Sequence, residues 1–286
     1  MVRFSFISFL LIMISCTSNP FWNDPTKNEL KLNGTATAEN KHTDVPISIW
    51  MESFDQYTIT DSDGNFSIPI NNSQSGTGNI SGPVKLYFFI YNYHLDSATV
   101  FFTNGELSSN QTDFSSDGDL IKRIQLTKIL SGKINFQLLE NEFYDQDTVL
   151  LTFDGFIHSN ISIGLYKYIY KDELNFHSGL LFRSIDNENV IIYRFLGIDE
   201  YGNYIQDQIH HVDYEKNETL LWSYYIVTNQ IYLAPGSYEV FPYFLIHHEY
   251  FPDGLVEKLG GESAFTISEH YLTLPLDIVP DTLMID

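Results

Sequence analysis

The chain has 286 residues, 43% hydrophobic and 15% aromatic, which is enough to bury a sizeable core and excludes an intrinsically disordered protein. Its formal net charge is −22, with acidic residues spread along the chain, and that excludes nucleic acid as a partner because phosphate binding needs a basic face. A single cysteine excludes intrachain disulfides and cysteine-based metal centres.

At the N-terminus Arg3 precedes an apolar run, Phe4 to Ile14, followed by Ser15 and Cys16. A basic start, a short apolar stretch and a small residue are the layout of a secretory signal peptide. The run is far shorter than the roughly twenty residues that span a bilayer. Met13-Ile14-Ser15-Cys16 resembles the lipobox of bacterial lipoproteins, with Met13 where that family usually has Leu. The resemblance implies that residues 1–15 are a signal peptide cleaved before Cys16, and that Cys16 is acylated. Thr17 stands where an Asp would signal inner-membrane retention in such lipoproteins, so the implied address is the cell envelope at the outer membrane. Residues 16–29, polar and carrying Pro20 and Pro25, read as a lipidated tether. An acidic globular part is repelled by anionic lipid, so the acyl group supplies the membrane contact.

From residue 30 the pattern is strand. Ile47, Ile49 and Met51 alternate with Ser48 and Trp50, and Phe66, Ile68 and Ile70 alternate with Ser67 and Pro69. Such period-two runs predict half-buried strands. Val84 to Tyr93 is almost continuously apolar and predicts a central strand covered on both faces. Ala98 to Thr103 and Ile121 to Ile129 predict two more, and Asn71 to Pro83 a loop. Asn33-Gly34-Thr35-Ala36, Val45-Pro46-Ile47-Ser48-Ile49 and the turn Thr58-Ile59-Thr60-Asp61-Ser62-Asp63-Gly64-Asn65-Phe66 resemble the carboxypeptidase-regulatory-like, or transthyretin-like, β-sandwich domains. The resemblance implies such a domain over 30–130, a structural and binding module without catalysis.

A boundary is expected near Leu130-Ser131-Gly132, with residues 131–286 as a second domain. Strand-like runs recur at Thr148 to Phe153, Ile161 to Tyr170, Gly179 to Ile185, Val190 to Ile198, Thr219 to Val227, Ile231 to Leu233, Tyr238 to His247 and Tyr271 to Leu276. Regularly spaced short strands predict another β-sandwich, and Leu233-Ala234-Pro235-Gly236-Ser237-Tyr238 resembles the immunoglobulin type. Pro242 predicts an edge strand or a bulge. Asp199-Glu200-Tyr201-Gly202-Asn203-Tyr204 echoes the Asp61 turn and predicts a second one. No segment has helical periodicity, and Leu255 to Leu259 is at most one turn. The expected fold is therefore all-β, with two consecutive β-sandwich domains.

Asp61, Asp63 and Asn65 offer oxygens at alternate positions, as calcium loops do, but Asn72 holds the place of the bidentate Glu. They are metal candidates set against a plain structural turn. In His247-His248-Glu249 neighbouring side chains of a strand point to opposite faces, so His247 and Glu249 share a face, and His211 could join them as a zinc ligand. Trp50 and Trp222 are candidate sugar platforms, Trp50 because it is predicted to face outward. No nucleophile elbow, His-Glu-x-x-His or phosphate loop occurs, so neither catalytic residues nor a cofactor is expected. The reading is a lipid-anchored bacterial envelope protein acting as a non-catalytic binding or structural module. Its partners are the membrane, through Cys16, and another envelope protein or a carbohydrate. One alternative is a carbohydrate- or protein-capturing accessory lipoprotein of an outer-membrane transport system. The other is a metal-dependent or carboxylate hydrolase.

Overall fold

A computed structural model describes residues 30–39, 45–70, 80–108, 112–138, 148–166, 179–193, 197–198, 204–205, 209–227, 233–248, 250–265 and 267–285. The signal peptide and tether expected over 1–29, Cys16 among them, together with Glu249 and the turn expected at 199–203, lie outside the described residues, as do most of the loop expected at 71–83 and of the run at 231–233.

The fold is all-β. Its strands in chain order are β1 (Lys31–Ala38), β2 (Ser48–Met51), β3 (Gln56–Ile59), β4 (Asn65–Pro69), β5 (Gly82–Phe89), β6 (Asp96–Thr103), β7 (Glu106–Leu107), β8 (Ile124–Leu126), β9 (Leu130–Leu138) and β10 (Thr148–Ile157). They continue as β11 (Ile161–Tyr166), β12 (Leu180–Ser184), β13 (Val190–Tyr193), β14 (Gly197–Ile198), β15 (Tyr204–Ile205), β16 (Ile209–Tyr214) and β17 (Thr219–Val227). The last are β18 (Gly236–Pro242), β19 (Leu245–His247), β20 (Ile278–Val279) and β21 (Asp281–Ile285). One short α-helix, α1 (Asp253–Lys258), and two 3₁₀ turns follow β19.

In the first half, a sheet ordered β4-β1-β8 faces one ordered β3-β2-β5-β6-β7. Leu32, Phe66 and Ile68 from the first sheet meet Ile49, Leu86 and Phe88 from the second in one buried cluster. Phe66 and Phe88 pack edge to face at 5.6 Å. In the second half, a sheet ordered β17-β10-β9-β20 shares a core with β16-β11-β19 and β13-β12-β18-β21. Phe153 of β10 lies 5.0 Å from Phe244, the residue before β19.

β5 belongs to both cores. It is central in its sheet, as its apolar run predicts, and its alternation sends Leu86 and Phe88 one way and Phe89 the other. Phe89, Tyr91 and Trp50 join the second cluster because the segment after β19 covers the outer face of the five-stranded sheet. Trp50 is consequently buried, 7% exposed, which corrects the expectation that it faces solvent. Its ring stacks on Tyr87 at 5.8 Å and its indole N–H donates to Asp55 at 3.0 Å.

Other departures have local reasons. The run from Tyr271 to Leu276 is not a strand. Glu269–Thr273 is a 3₁₀ turn, because the buried residues of the run are Tyr271, Pro275 and Leu276 and do not alternate. The Tyr238 to His247 run is two strands broken at Tyr243-Phe244. Pro242 ends an interior strand: it faces Leu180 of β12, while the β21 ladder has already stopped at Val240, so no hydrogen bond is lost on that side. Pro83 lies inside β5, opposite Phe101, beyond the last β2 pair at Leu86. The Asp61 turn joins strands of different sheets instead of closing a hairpin, since β3 pairs with β2 and β4 with β1.

Candidate functional site

A set of side-chain bonds fastens the end of β5 to the start of β9. Asn92, 1% exposed and at φ +65°, occupies the left-handed region that Asn tolerates better than most residues. Its amide nitrogen donates to the carbonyls of Leu130 and Leu276, each at 2.8 Å, and its oxygen accepts from the Leu130 N–H at 3.0 Å. Lys128, also buried, reaches the Asp277 carboxylate at 2.7 Å. His94 Nε2 meets the Ser159 hydroxyl at 2.7 Å, and that hydroxyl donates to the Lys128 carbonyl at 3.0 Å. Burial holds the His94 and His158 rings below the usual imidazole range, and His158 Nε2 lies 2.7 Å from the Ser131 hydroxyl.

Beside this seam lies a cleft of about 710 Å³. His94 and Leu95 form one wall, Asn160 to Ser162 the floor at the start of β11, and Asp213 to Glu215 and His247-His248 the remaining sides. Register places these groups. Ser162 of β11 pairs with Asp213 of β16 on one side and His247 of β19 on the other. These three residues share the outward face, while Ile163, paired with Val212 and Ile246, points into the core. Asn160 is held by its side-chain oxygen, which accepts from the Lys216 N–H at 2.8 Å.

His248, one residue past the end of β19, lines the cleft beside His247 and turns its ring toward the aromatic group on the five-stranded sheet. Its ring packs edge-on to Phe89 at 5.3 Å and lies 5.5 Å from Phe251. The Nε2 atom is buried without a hydrogen-bond partner. Burial first, and then the neighbouring His94 and His247, bring the ring's pKa down to about 3. The cleft thus offers two carboxylates, the Ser162 and Tyr214 hydroxyls and three imidazole rings, with no Lys or Arg among its described lining residues. That lining suits a neutral or cationic polar ligand and repels an anion.

The other sequence candidates fall elsewhere. The Asp61 carboxylate accepts from the Asp63 and Asn65 backbone N–H groups at 2.9 and 2.8 Å and from the Asn65 side chain at 3.3 Å. Those bonds, the Asn65 N–H foremost, hold it below the usual carboxylate range. Asp61 caps a turn, and Asp63 contributes its backbone to the same turn. Trp222 sits on β17 opposite Phe153, with its side chain outside the described set. His211 pairs with Gly164, so β11 separates it from His247, and about 10 Å of sheet lies between their strands. Among the described residues no three His, Cys, Asp or Glu side chains are placed to hold a metal ion. Of the cleft, sequence reasoning found only His247 and His248. Nothing in the local pattern marks His94, Asp213 or Glu215, because their meeting depends on strand pairing far along the chain.

No protein-family model matches the chain, and no curated protein matches it in sequence.

Proposed function

We propose that this is a lipid-anchored protein of the bacterial envelope, held at the outer membrane through an acylated Cys16, whose fold serves as a non-catalytic binding module. The observation that carries the binding role is the outward row Asp213–Ser162–His247 lining a cleft of about 710 Å³. The transthyretin-like and immunoglobulin-like resemblances support the same role, since both describe scaffolds that present a surface. The Ser159 hydroxyl lies within hydrogen-bond distance of both His94 and the Lys128 carbonyl, a bridging position that favours a structural strap over a nucleophile–base pair. The acidic, hydroxyl-bearing cleft favours a neutral carbohydrate, or a basic loop of another envelope protein, as the captured partner. This is the accessory role beside an outer-membrane transporter.

The experiment has two readouts. Wild-type and Cys16→Ser proteins are expressed in a lipoprotein-processing bacterium and fractionated. The wild type is expected in the membrane pellet and the variant in the soluble fraction; a variant that stays in the pellet refutes the anchor. The purified proteins are then titrated with a panel of neutral oligosaccharides. Asp213→Ala and His247→Ala are expected to weaken any binding at least tenfold, about 1.4 kcal/mol. Binding that ignores both substitutions removes the cleft from the proposal.

A further inference from the structure

After β19 the chain crosses the outer face of the five-stranded sheet. Phe251 packs edge-on to Phe89 of β5 at 4.8 Å, and Phe265 lies 5.5 Å from Phe251. α1 continues the cover, with Gly254 against the Trp50 ring and the Lys258 ammonium 2.8 Å from the Asp55 carboxylate. His248 is the polar ring in this aromatic group, and its Nε2 is buried and unpartnered. A neutral imidazole can occupy such a place. An imidazolium there would put charge on an Nε2 that is buried without a hydrogen-bond partner, beside the Phe89 and Phe251 rings.

We propose that His248 is an acid-sensitive latch: protonation of its ring releases the segment 248–265 from the sheet and opens the neighbouring cleft on that side. The described groups around it do not all act alike. His94, from the turn after β5, and His247, from β19, are themselves basic and oppose a charge on His248. Phe89 of β5 and Phe251 are apolar and cannot pair with it. Asp213 and Glu215, at the end of β16, line the same cleft and are the described carboxylates that favour the charged ring and so oppose release. The Asp55–Lys258 pair links the same segment to the turn between β2 and β3.

The burial that lowers the His248 pKa from 6.5 to about 3 sets the direction and the window. The closed form keeps the ring deprotonated, and opening restores the ordinary pKa, so the latch is fully held above pH 6.5 and loosens as pH falls toward 3. Between pH 7.5 and pH 4.5 those values raise the opening constant roughly a hundredfold.

Amide hydrogen exchange on the full chain, corrected for the intrinsic pH dependence, tests this. Peptides covering 250–265 are expected to open roughly a hundredfold more at pH 4.5 than at pH 7.5, while β9 and β10 peptides keep their protection. His248→Phe fits the aromatic group and cannot titrate, so its opening is expected to stay at the neutral-pH level. Equal pH dependence in His248→Phe, or simultaneous opening of the whole molecule in the wild type, overturns the latch. If the variant does not fold, NMR titration of the wild-type His248 ring decides: a midpoint above pH 5.5 overturns the proposal, and a ring still neutral when the segment begins to open upholds it.

Discussion

Gly64 closes the Asp61 turn with φ +84°, and a Cβ built there would stand 2.4 Å from the Ala36 carbonyl oxygen. Two separate costs therefore attach to any side chain: a left-handed backbone and a collision with the backbone of β1. Gly64→Val is expected to lower unfolding stability by about 1–3 kcal/mol, the scale of such strain. Urea unfolding followed by tryptophan fluorescence measures it, and an unchanged midpoint would mean the turn relaxes freely. The turn was legible in the sequence because its chemistry is local: Asp61 caps the N–H groups two and four residues on. Asn92 is the opposite case. Its φ of +65° and its burial serve bonds to residues 38 and 184 positions away, and no window of sequence contains them.

At the scale of elements, period-two alternation gave the right facing and left open which face was wet. Trp50 does point away from Ile49 and Met51, but α1 and the residues around it cover that side. The cover is close-packed: a Cβ on Gly254 would stand 2.3 Å from the Trp50 ring. Gly254→Val should lift α1 from the sheet and separate Lys258 from Asp55. That ion pair is partly exposed and contributes at most about 1 kcal/mol. Most of the loss is overpacking, on the order of 1–3 kcal/mol, with a red shift of tryptophan emission as Trp50 meets water. Wild-type emission and stability in the variant would show that α1 is not seated on Trp50. Where apolar residues cluster without a true two-residue burial period, as at Tyr271 to Leu276, alternation misleads and the chain forms a 3₁₀ turn.

Across the whole molecule, the all-β class was legible because many runs independently show the strand period, while the seam and its cleft were not. His94, Ser162, Asp213 and His247 converge only once β11 has paired with both β16 and β19, and once the β5 end is tied to β9. The two hydrophobic clusters divide the chain unevenly. The first is built entirely from residues within 30–130, whereas the second takes Trp50, Phe89, Tyr91, Ile129 and Leu130 from that same half. Tyr91 also donates its hydroxyl to the Phe244 carbonyl at 2.7 Å, and Asn92 satisfies Leu130 and Leu276. A piece comprising 30–130 keeps its cluster whole and loses the cover over Trp50 and Phe89 and the seam partners of Tyr91, Asn92 and Lys128, so it is expected to fold alone with a more exposed aromatic face. A piece comprising 131–286 loses three aromatic rings and the Ile129 and Leu130 side chains from its core and leaves buried carbonyls without donors, at about 1–3 kcal/mol for each unsatisfied group. It is expected to bind a hydrophobic dye and melt without cooperativity by circular dichroism. Mixing it with the 30–130 piece should restore a cooperative transition, because the missing rings and donors return together. Independent cooperative melting of 131–286 would show instead that the seam is a docking contact between separately stable units.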